Sequence, residues 1–216
     1  MVNTPIITWL TIGLTVLFSI RGFNDFGFFQ RFMLQVGPVL RDRDYKRVLT
    51  AAFLHVDWAH LLFNMLTLYF FADAVLLHLG SLGFLAIYLG SIVASGSFSV
   101  FYHQRDYAYS AVGASGGVSG ILFASILLYP DLRLYIFPIP IPVPGYLFGI
   151  GYLLYSVYGM RHKFDHVGHT AHFAGALAGI IISLLLAPAL LKTRGQILFL
   201  LLIPIALLFY ILYRKK

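Results

Sequence analysis

The sequence predicts an all-α integral membrane protein built as a single helical bundle. Of its 216 residues, 60% are hydrophobic and only 11% are charged, which is unlike the composition of a soluble domain. Seven apolar runs are long enough, or nearly so, to form helices in a membrane. The chain opens Met-Val-Asn-Thr-Pro without a basic leader, so we expect its first apolar run to be a retained span rather than a cleaved signal.

Most of the connections between these runs are short. The exception is segment 21–47, where six basic and three acidic residues are mixed with phenylalanines, a composition typical of a segment at the membrane interface.

Residues 1–191 are expected to form the transmembrane core, and residues 192–216 a seventh hydrophobic helix with a basic tail. The seven runs are 5–20, 58–79, 81–102, 115–129, 145–160, 171–191 and 196–213.

The fourth run is too short to span a bilayer. Fifteen residues from Ser115 to Tyr129 make about 22 Å of helix, whereas the hydrocarbon core is about 30 Å thick. The preceding residues are polar, so the helix should begin at membrane depth after an irregular loop, which is tolerated only inside protein or beside water. Ser115 would then lie at a helix N-terminus, where free N–H groups can stabilise an oxyanion.

Ser115 and His172 both lie in apolar runs, where ionisable or nucleophilic groups are costly and often functional. Small residues four apart allow helix backbones to approach closely, so the two helices could bring a nucleophile and a base together. The alternative is ordinary packing, with His172 bonded to a backbone carbonyl. The glycines that follow the two residues are Gly116 and Gly120 in one run and Gly175 and Gly179 in the other.

His60 and Asn64 are four residues apart and therefore share one helix face. Both side chains can donate hydrogen bonds without a permanent charge, which suits stabilisation of an oxyanion. His55 lies nearer the mouth of the bundle and is expected to hold the loop. The alternative is a polar contact between helices that only fixes the bundle.

A metal site is a rival interpretation of the histidines. His162, His166, His169 and His172 recur at three- and four-residue intervals, and with His55 and His60 they could bind zinc. However, the chain contains neither cysteine nor glutamate, so it has no thiolate ligand and no His-Glu-x-x-His motif. Most of these histidines lie in a polar loop, where solvated histidines are common. We therefore expect no metal site.

Three segments of the chain carry groups suited to one site. They are 47–65 with Arg47, His55, His60 and Asn64, 113–116 with Gly113, Ala114, Ser115 and Gly116, and 171–175 with His172 and Gly175. In this order they resemble the rhomboid intramembrane serine proteases. A Gly-x-Ser-Gly motif alone is weakly specific, but the ordered set over three helices is specific, and the likeness extends from residue 47 to 186.

The resemblance implies a six-helix core in which Ser115 attacks a peptide carbonyl and His172 is its general base. It implies that His60, Asn64 and backbone amides, including that of Ala114, hold the oxyanion. The substrates would be transmembrane segments of membrane proteins, with no metal or organic cofactor. The expected location is a bacterial plasma membrane, with several spans and the active site open to the extracytoplasmic side. Supporting roles fall to Arg47, His55, Gly113, Gly116 and Gly175.

The sequence departs from the family pattern at one position near the base. The family usually has an aromatic residue four positions after the nucleophile, stacked on the base, and here that position is Ser119. Phe123, one turn further on, is a candidate substitute. Alternatively, Ser119 itself is the nucleophile in a second Gly-x-Ser-Gly motif, but the helix would then be shorter still, which favours Ser115.

Other departures leave the family pattern recognisable. Lys46 stands where a tryptophan is usual, Leu76 replaces a common acidic residue, and Asp73 is too far from Asn64 along the helix to complete a triad. A Ser-His dyad is therefore expected.

The basic residues are scattered along the sequence and do not form a stripe, so anionic lipid headgroups are more plausible partners than nucleic acid. The resemblance also implies a cytoplasmic N-terminus, which would place segment 21–47 with its six basic residues outside, and the positive-inside rule opposes this orientation.

Three functions remain open from the sequence. The first is an intramembrane serine endopeptidase with Ser115 and His172 as its dyad. The second is a catalytically silent protein of the same fold that binds transmembrane helices, which the presence of Ser115 and His172 disfavours. The third is a transporter or metal carrier that uses the histidines.

Overall fold

The computed structural model describes residues 5–135, 141–162 and 167–213, which form an almost entirely helical bundle. This confirms the predicted all-α fold with a hydrophobic helix after the core. The helices are α1 (Ile6–Asn24), α2 (Phe26–Phe32), α3 (Val36–Arg41), α4 (Arg47–Thr50), α5 (Trp58–Tyr102), α6 (Ser115–Leu128), α7 (Gly145–His162), α8 (His169–Leu186), α9 (Leu190–Thr193) and α10 (Gly195–Tyr213), with a 3-10 turn at Ala51–Phe53.

Two short antiparallel strand pairs join loops rather than form a sheet core. In the first pair, β1 (Leu34–Gln35) lies beside β2 (Ser110–Ala111), which links the interfacial segment to the loop before α6. In the second pair, β3 (Arg133–Tyr135) lies beside β4 (Pro142–Pro144) and closes the connection between α6 and α7.

Helix α5 consists of two spans joined at a glycine. Gly80 has φ of 66° and ψ of −176°, a conformation that breaks the helix and that side-chain-bearing residues rarely adopt. The 45 residues of α5 divide there into two halves of equal length, each about 33 Å long and long enough to cross a bilayer. The prediction of separate runs on either side of Gly80 is confirmed.

Three of the described helices, α1, α5 and α8, are long and apolar enough to cross a membrane. Helix α6 and the apolar part of α10 are shorter. With α5 counted as two spans, the order of the hydrophobic segments agrees with the seven predicted runs, although α1 continues to Asn24 and α8 ends at Leu186.

Helix α6 is the central helix of the bundle. It begins at Ser115 as predicted, and every residue from Gly116 to Leu128 is buried. One of its faces packs with the core of α5 through Val118 and Ile121, and the opposite face packs with α7, α8 and α10 through Phe123. A helix of about 21 Å is therefore kept away from lipid by protein on all sides.

Helix α1 turns small polar side chains towards the bundle. These side chains are spaced three or four residues apart and therefore form one face, which packs against α5. The hydroxyl groups of Thr11 and Thr15 donate to the carbonyls four residues earlier, at 2.8 Å in each case. The buried face consists of Thr8, Thr11, Thr15, Ser19 and Gly22.

The C-terminal helix α10 is packed on the core. Its residues Leu201 and Leu208 are buried in the same apolar cluster as Leu153 of α7. Just before α10, the guanidinium of Arg194 donates to the carbonyl of Leu127 at 3.1 Å, and a cation is favourable at this C-terminal end of α6. The division of the chain at residue 191 stays a prediction.

Candidate active site

Helices α6 and α8 contact each other backbone to backbone through their glycines. A Cβ atom built on Gly175 would overlap the carbonyl oxygen of Gly116, and one built on Gly179 would overlap that of Gly120. Neither position can hold a side chain, as expected for helices that approach through small residues. The two glycine pairs therefore meet, while the roles assigned to Ser115 and His172 stay predictions.

This contact brings Ser115 and His172 to the same end of the helix pair. Ser115 is the first residue of α6 and directly precedes Gly116. His172 lies in the first turn of α8, one turn before Gly175, and its backbone N–H donates to the carbonyl of Gly168 at 3.0 Å. The free end of α6 therefore lies beside the turn of α8 that carries the histidine.

The ring that stacks on His172 belongs to Tyr152 of α7. The two ring centroids are 5.6 Å apart and the ring planes differ by only 18°. Phe123, the candidate from the sequence, is fully buried and makes a tilted contact with Tyr152 instead, at 5.8 Å between centroids. The ring that stacks on the histidine is thus Tyr152 rather than the candidate Phe123, which packs in the apolar cluster around α7.

Ser119 holds this tyrosine. Its hydroxyl group lies 2.6 Å from the hydroxyl group of Tyr152, and its side chain is buried one turn inside α6. This engagement opposes the alternative in which Ser119 is the nucleophile, because its oxygen is inside the helix packing and already hydrogen-bonded. Ser115 lies at the open start of the helix.

Gly113 brings the loop before α6 against the ring of His60. Its φ of +125° lies in the region that favours glycine, and a Cβ atom there would come within 2.7 Å of the Cε1 atom of His60. The backbone N–H of Gly113 donates to the carbonyl of Ala51 at 3.0 Å. Both the backbone conformation and the close approach therefore require glycine.

His60 and Asn64 lie on one face of α5, as predicted. The side-chain amide of Asn64 donates to the carbonyl of His60 at 2.9 Å, and Asn64 is buried. The helix begins with Asp57, whose carboxylate accepts from the backbone N–H of His60 at 2.7 Å. Asp57 was missed in the sequence, although an aspartate just before an apolar helix is a recognisable cap signal.

His55 links α1 to the residue before Ser115. The backbone N–H of Ala114 donates to Nε2 of His55 at 3.3 Å, so Nε2 must be unprotonated and the proton is on Nδ1. Nδ1 then donates to the hydroxyl of Ser19 at 2.9 Å, and this hydroxyl donates to the carbonyl of Phe53 at 3.0 Å. His55 thus holds the loop before Ser115. The backbone N–H of Ala114, which the resemblance assigns to the oxyanion, donates to His55 instead.

Burial keeps this histidine neutral. The removal of His55 from water, with a smaller effect from the neighbouring His60, lowers its pKa to about 3, although Asp57 acts in the opposite direction. The rings of His55 and His60 meet edge to face, with centroids 4.8 Å apart. Ser19, which accepts a hydrogen bond from His55, was missed because a serine in an apolar run carries no signal of its partner.

Arg47 fixes the interfacial segment to the site. Its Nη1 atom donates to the carbonyls of Gln30 and Met33, both at 2.8 Å, and its Nε atom donates to Asp44 at 2.9 Å. Burial raises the pKa of Asp44, but the hydrogen bond from Arg47 and the charge of Lys46 outweigh it and lower that pKa overall. Since Met33 precedes β1, and β1 pairs with β2, Arg47 steadies the loop that leads to Ser115.

The histidines proposed as a metal site are only partly described. His166 lies outside the described residues. Within residues 5–135, 141–162 and 167–213, no group of three or more histidine and carboxylate side chains is close enough together to hold a metal ion. The ring of His169 instead packs edge-on against Tyr155 of α7, and the ring of His162 packs against Tyr158.

The comparison with known protein families fits this arrangement. The model of the rhomboid domain matches residues 42–189, which includes every candidate residue above. The chain belongs to the rhomboid family. Curated rhomboid relatives include rhomboid protein 1, mitochondrial, of Saccharomyces cerevisiae, which is 25% identical over 69% of this chain and 44% of its own length.

Two further rhomboid relatives come from a plant and a bacterium. The RHOMBOID-like protein 12, mitochondrial, of Arabidopsis thaliana is 28% identical over 74% of this chain and 52% of its own length. A putative rhomboid protease of Bacillus subtilis is 35% identical over 36% of this chain and 38% of its own length. This rhomboid chain thus spans about half the length of the yeast and plant relatives, and less of the bacterial one.

The relatives correct one expectation. The yeast and Arabidopsis proteins, which match this rhomboid over more than two thirds of its length, are both named as mitochondrial. The predicted bacterial plasma membrane is therefore wrong, because composition and hydropathy identify a membrane protein but not the membrane in which it resides. The prediction of several membrane spans agrees with the helices observed.

Proposed function

We propose that this rhomboid protein is an intramembrane serine endopeptidase in which Ser115 and His172 form a catalytic dyad. The observation that carries the proposal is the backbone contact between Gly116 and Gly175, which brings the start of α6 beside the first turn of α8. In the dyad His172 accepts the proton of the Ser115 hydroxyl as the oxygen attacks the peptide carbonyl, and later donates it to the leaving amine.

The negative charge that develops on the carbonyl oxygen needs hydrogen-bond donors. Under this proposal the donors are the side chains of His60 and Asn64 and the free N–H groups at the start of α6. Gly113 supports this role because it allows the loop to lie directly against the His60 ring. Loss of one such donor typically costs 10²- to 10³-fold in turnover.

Under this proposal Asp73 does not complete a catalytic triad. It is about 13 Å along α5 from Asn64 at 1.5 Å per residue. Packing, including the stacked ring of Tyr152, contributes to the orientation of His172. The proposed substrates are transmembrane segments of membrane proteins, because α6 begins inside the bundle and Ser115 would meet them there. The proposed environment of the protein is the lipid bilayer.

Labelling with a serine-directed fluorophosphonate in detergent tests the nucleophile. We expect labelling of the wild-type protein and none of Ser115→Ala. The matched control is Ser125→Ala on the same helix, whose buried hydroxyl lies within hydrogen-bond distance of the carbonyls of Phe71 and Ile121 and takes no part in the site. Ser125→Ala should label at the wild-type rate.

Cleavage of a transmembrane substrate in liposomes tests the reaction. The wild-type protein should cleave it, and His172→Ala should not, while a chelator should leave the rate unchanged. Labelling that persists in Ser115→Ala but vanishes in Ser119→Ala would move the nucleophile to Ser119. Absence of both labelling and cleavage in folded wild-type protein would instead support the catalytically silent protein that binds transmembrane helices.

We also infer a mitochondrial membrane as the location. The support is the naming of the yeast and Arabidopsis relatives as mitochondrial proteins. Fractionation of cells that express a tagged chain checks this inference. The tag should sediment with a mitochondrial marker, and its recovery with plasma membrane would contradict the inference.

A further inference from the structure

We propose that Tyr152 is a positioning residue for His172, that α7 supplies it, and that Ser119 sets its position. The inference rests on the proposed dyad and assigns a role to two residues outside it. In the rhomboid pattern an aromatic ring at the position of Ser119 would reach the base from α6. Here the ring reaches the base from α7, a different helix.

The geometry of the three side chains fits this role. The rings of Tyr152 and His172 are nearly parallel, with 18° between their planes. This stacking limits rotation of the imidazole about its Cβ–Cγ bond. The hydrogen bond of 2.6 Å to Ser119 fixes the other end of the tyrosine. A tyrosine hydroxyl group in an apolar interior needs a partner, and Ser119 provides one because a serine is small enough to leave room for the ring.

Positions 119 and 152 share one space, which can hold only one aromatic ring. A large side chain at position 119 would fill the space that the Tyr152 hydroxyl now occupies, so the two positions cannot both carry rings in this arrangement. Ser119 is only 2% exposed, which leaves no solvent-filled space beside it. The serine at this position is thus the counterpart of the tyrosine on α7, rather than a missing aromatic.

This arrangement makes the orientation of His172 depend on α7. Helix α7 lies between the central helix and α10, and a Cβ atom on Gly149 would come within 3.3 Å of Leu201 of α10. Gly149 is one turn before Tyr152 on the same helix. The ring that orients the base is therefore carried by a helix that the C-terminal helix supports from outside.

Steady-state kinetics on a transmembrane substrate in liposomes test the proposal with three variants and, as the reference for the third, Tyr152→Ala. Tyr152→Phe keeps the ring but removes the hydrogen bond to Ser119, so we expect kcat to fall about 2- to 5-fold, less than when the ring itself is lost. Tyr152→Leu removes the ring, and we expect kcat to fall about 10- to 100-fold with KM within about two-fold, since misplacement of a catalytic group by 1 Å can cost 10²-fold.

The third variant moves the ring to the other helix. In Ser119→Phe combined with Tyr152→Ala, the aromatic group returns to α6, and we expect kcat at least about 5-fold above that of Tyr152→Ala alone, as the base regains its stacking partner. This rescue distinguishes positioning from bulk packing. It also decides the question if Tyr152→Leu does not fold, as judged by its thermal melting.

Two results would overturn the proposal. One is a folded Tyr152→Leu protein with kcat within about two-fold of wild type, and the other is an absence of rescue in the double variant when it folds. Failure of the dyad itself looks different, because wild-type protein would then show no Ser115-dependent labelling. If wild-type protein is labelled at Ser115 and the Tyr152 variants keep the kcat of wild type, the positioning role alone is rejected.

Discussion

The candidate site is held by the backbone on one side and by side chains on the other. Towards α8, a methyl group at Gly175 would overlap the peptide of Gly116, and backbone atoms cannot move aside unless a whole helix moves. Towards α1 and α7, hydrogen bonds and ring contacts of His55 and Tyr152 hold the site. Such side chains can shift by a few tenths of an ångström at small cost.

This difference assigns separate tasks to the two sides. The distance between the helices that carry Ser115 and His172 is set by glycines, and so it has little freedom. The orientation of the groups around them is set by side chains that titrate or rotate. We therefore expect changes on the backbone side to affect folding and activity together, and changes on the side-chain side to affect activity or pH dependence with less effect on folding.

The largest effect is expected from Gly175→Ala. The added methyl group overlaps the carbonyl of Gly116, so α6 and α8 must separate, and overpacking of this kind costs about 1–3 kcal/mol or more of unfolding free energy. Fluorophosphonate labelling of Ser115 should also be lost, because the start of α6 moves away from His172. Thermal melting and the labelling rate measure the two effects in detergent.

Gly151→Ala on α7 is the matched control. A Cβ atom there meets nothing within 4 Å, so the melting temperature and the labelling rate should remain near those of wild type. A Gly175→Ala protein that melts and labels like Gly151→Ala would contradict the backbone contact between α6 and α8.

A somewhat smaller loss is expected from Gly113→Ala. Alanine at φ of +125° is strained, which costs on the order of 1–3 kcal/mol, and its methyl group presses on the His60 ring. The labelling rate of Ser115 should fall with it, since this loop leads into α6. Gly27→Ala in α2, where a Cβ atom comes only as near as 3.4 Å to Asp25, is the control, and equal labelling of both variants would contradict the assigned contact.

The backbone side of the site could be predicted from the sequence, and much of the side-chain side could not. Glycines four residues apart mark a close helix contact, and the distance from Ser115 to Pro130 bounds a short helix. Tyr152, however, meets Ser119 from 33 residues away. Periodicity shows which residues share a face of one helix, but it does not show which neighbouring helix that face meets.

Ser19 illustrates a signal that was present but not interpreted. Thr8, Thr11, Thr15 and Ser19 recur every three or four residues, which indicates one polar face on an otherwise apolar helix. Such a face is expected to turn inward in a membrane, and it does. Its partner His55 lies 36 residues further on, so the hydrogen bond between them depends on the tertiary packing.

The third prediction concerns the titratable link on the side-chain side. The pKa of His55 is about 3 in the folded protein and 6.5 ordinarily, so below pH 6.5 the unfolded chain binds a proton on this histidine that the folded chain does not bind. His55 therefore leaves the free energy of unfolding at its full value above pH 6.5 and lowers it progressively as the pH falls towards 3.

His55→Gln checks this prediction, because glutamine can accept from Ala114 and donate to Ser19 but does not titrate. The melting temperature of wild-type protein should fall more steeply between pH 7 and pH 4 than that of the variant. Parallel curves for the two proteins would show that His55 does not remain neutral in the fold, and labelling at pH 7 should be similar in both.

The smallest effect is expected from Gly149→Ala, which adds a methyl group on the side-chain side. The new Cβ atom would lie 3.2 Å from Cε1 of Phe123 and 3.3 Å from terminal methyl groups of Ile126 and Leu201. These atoms are tips of side chains that can yield, so we expect a loss of less than about 1 kcal/mol by thermal melting. A loss as large as that of Gly175→Ala would mean that α7 is packed as rigidly as α8, and the two sides of the site would then no longer differ.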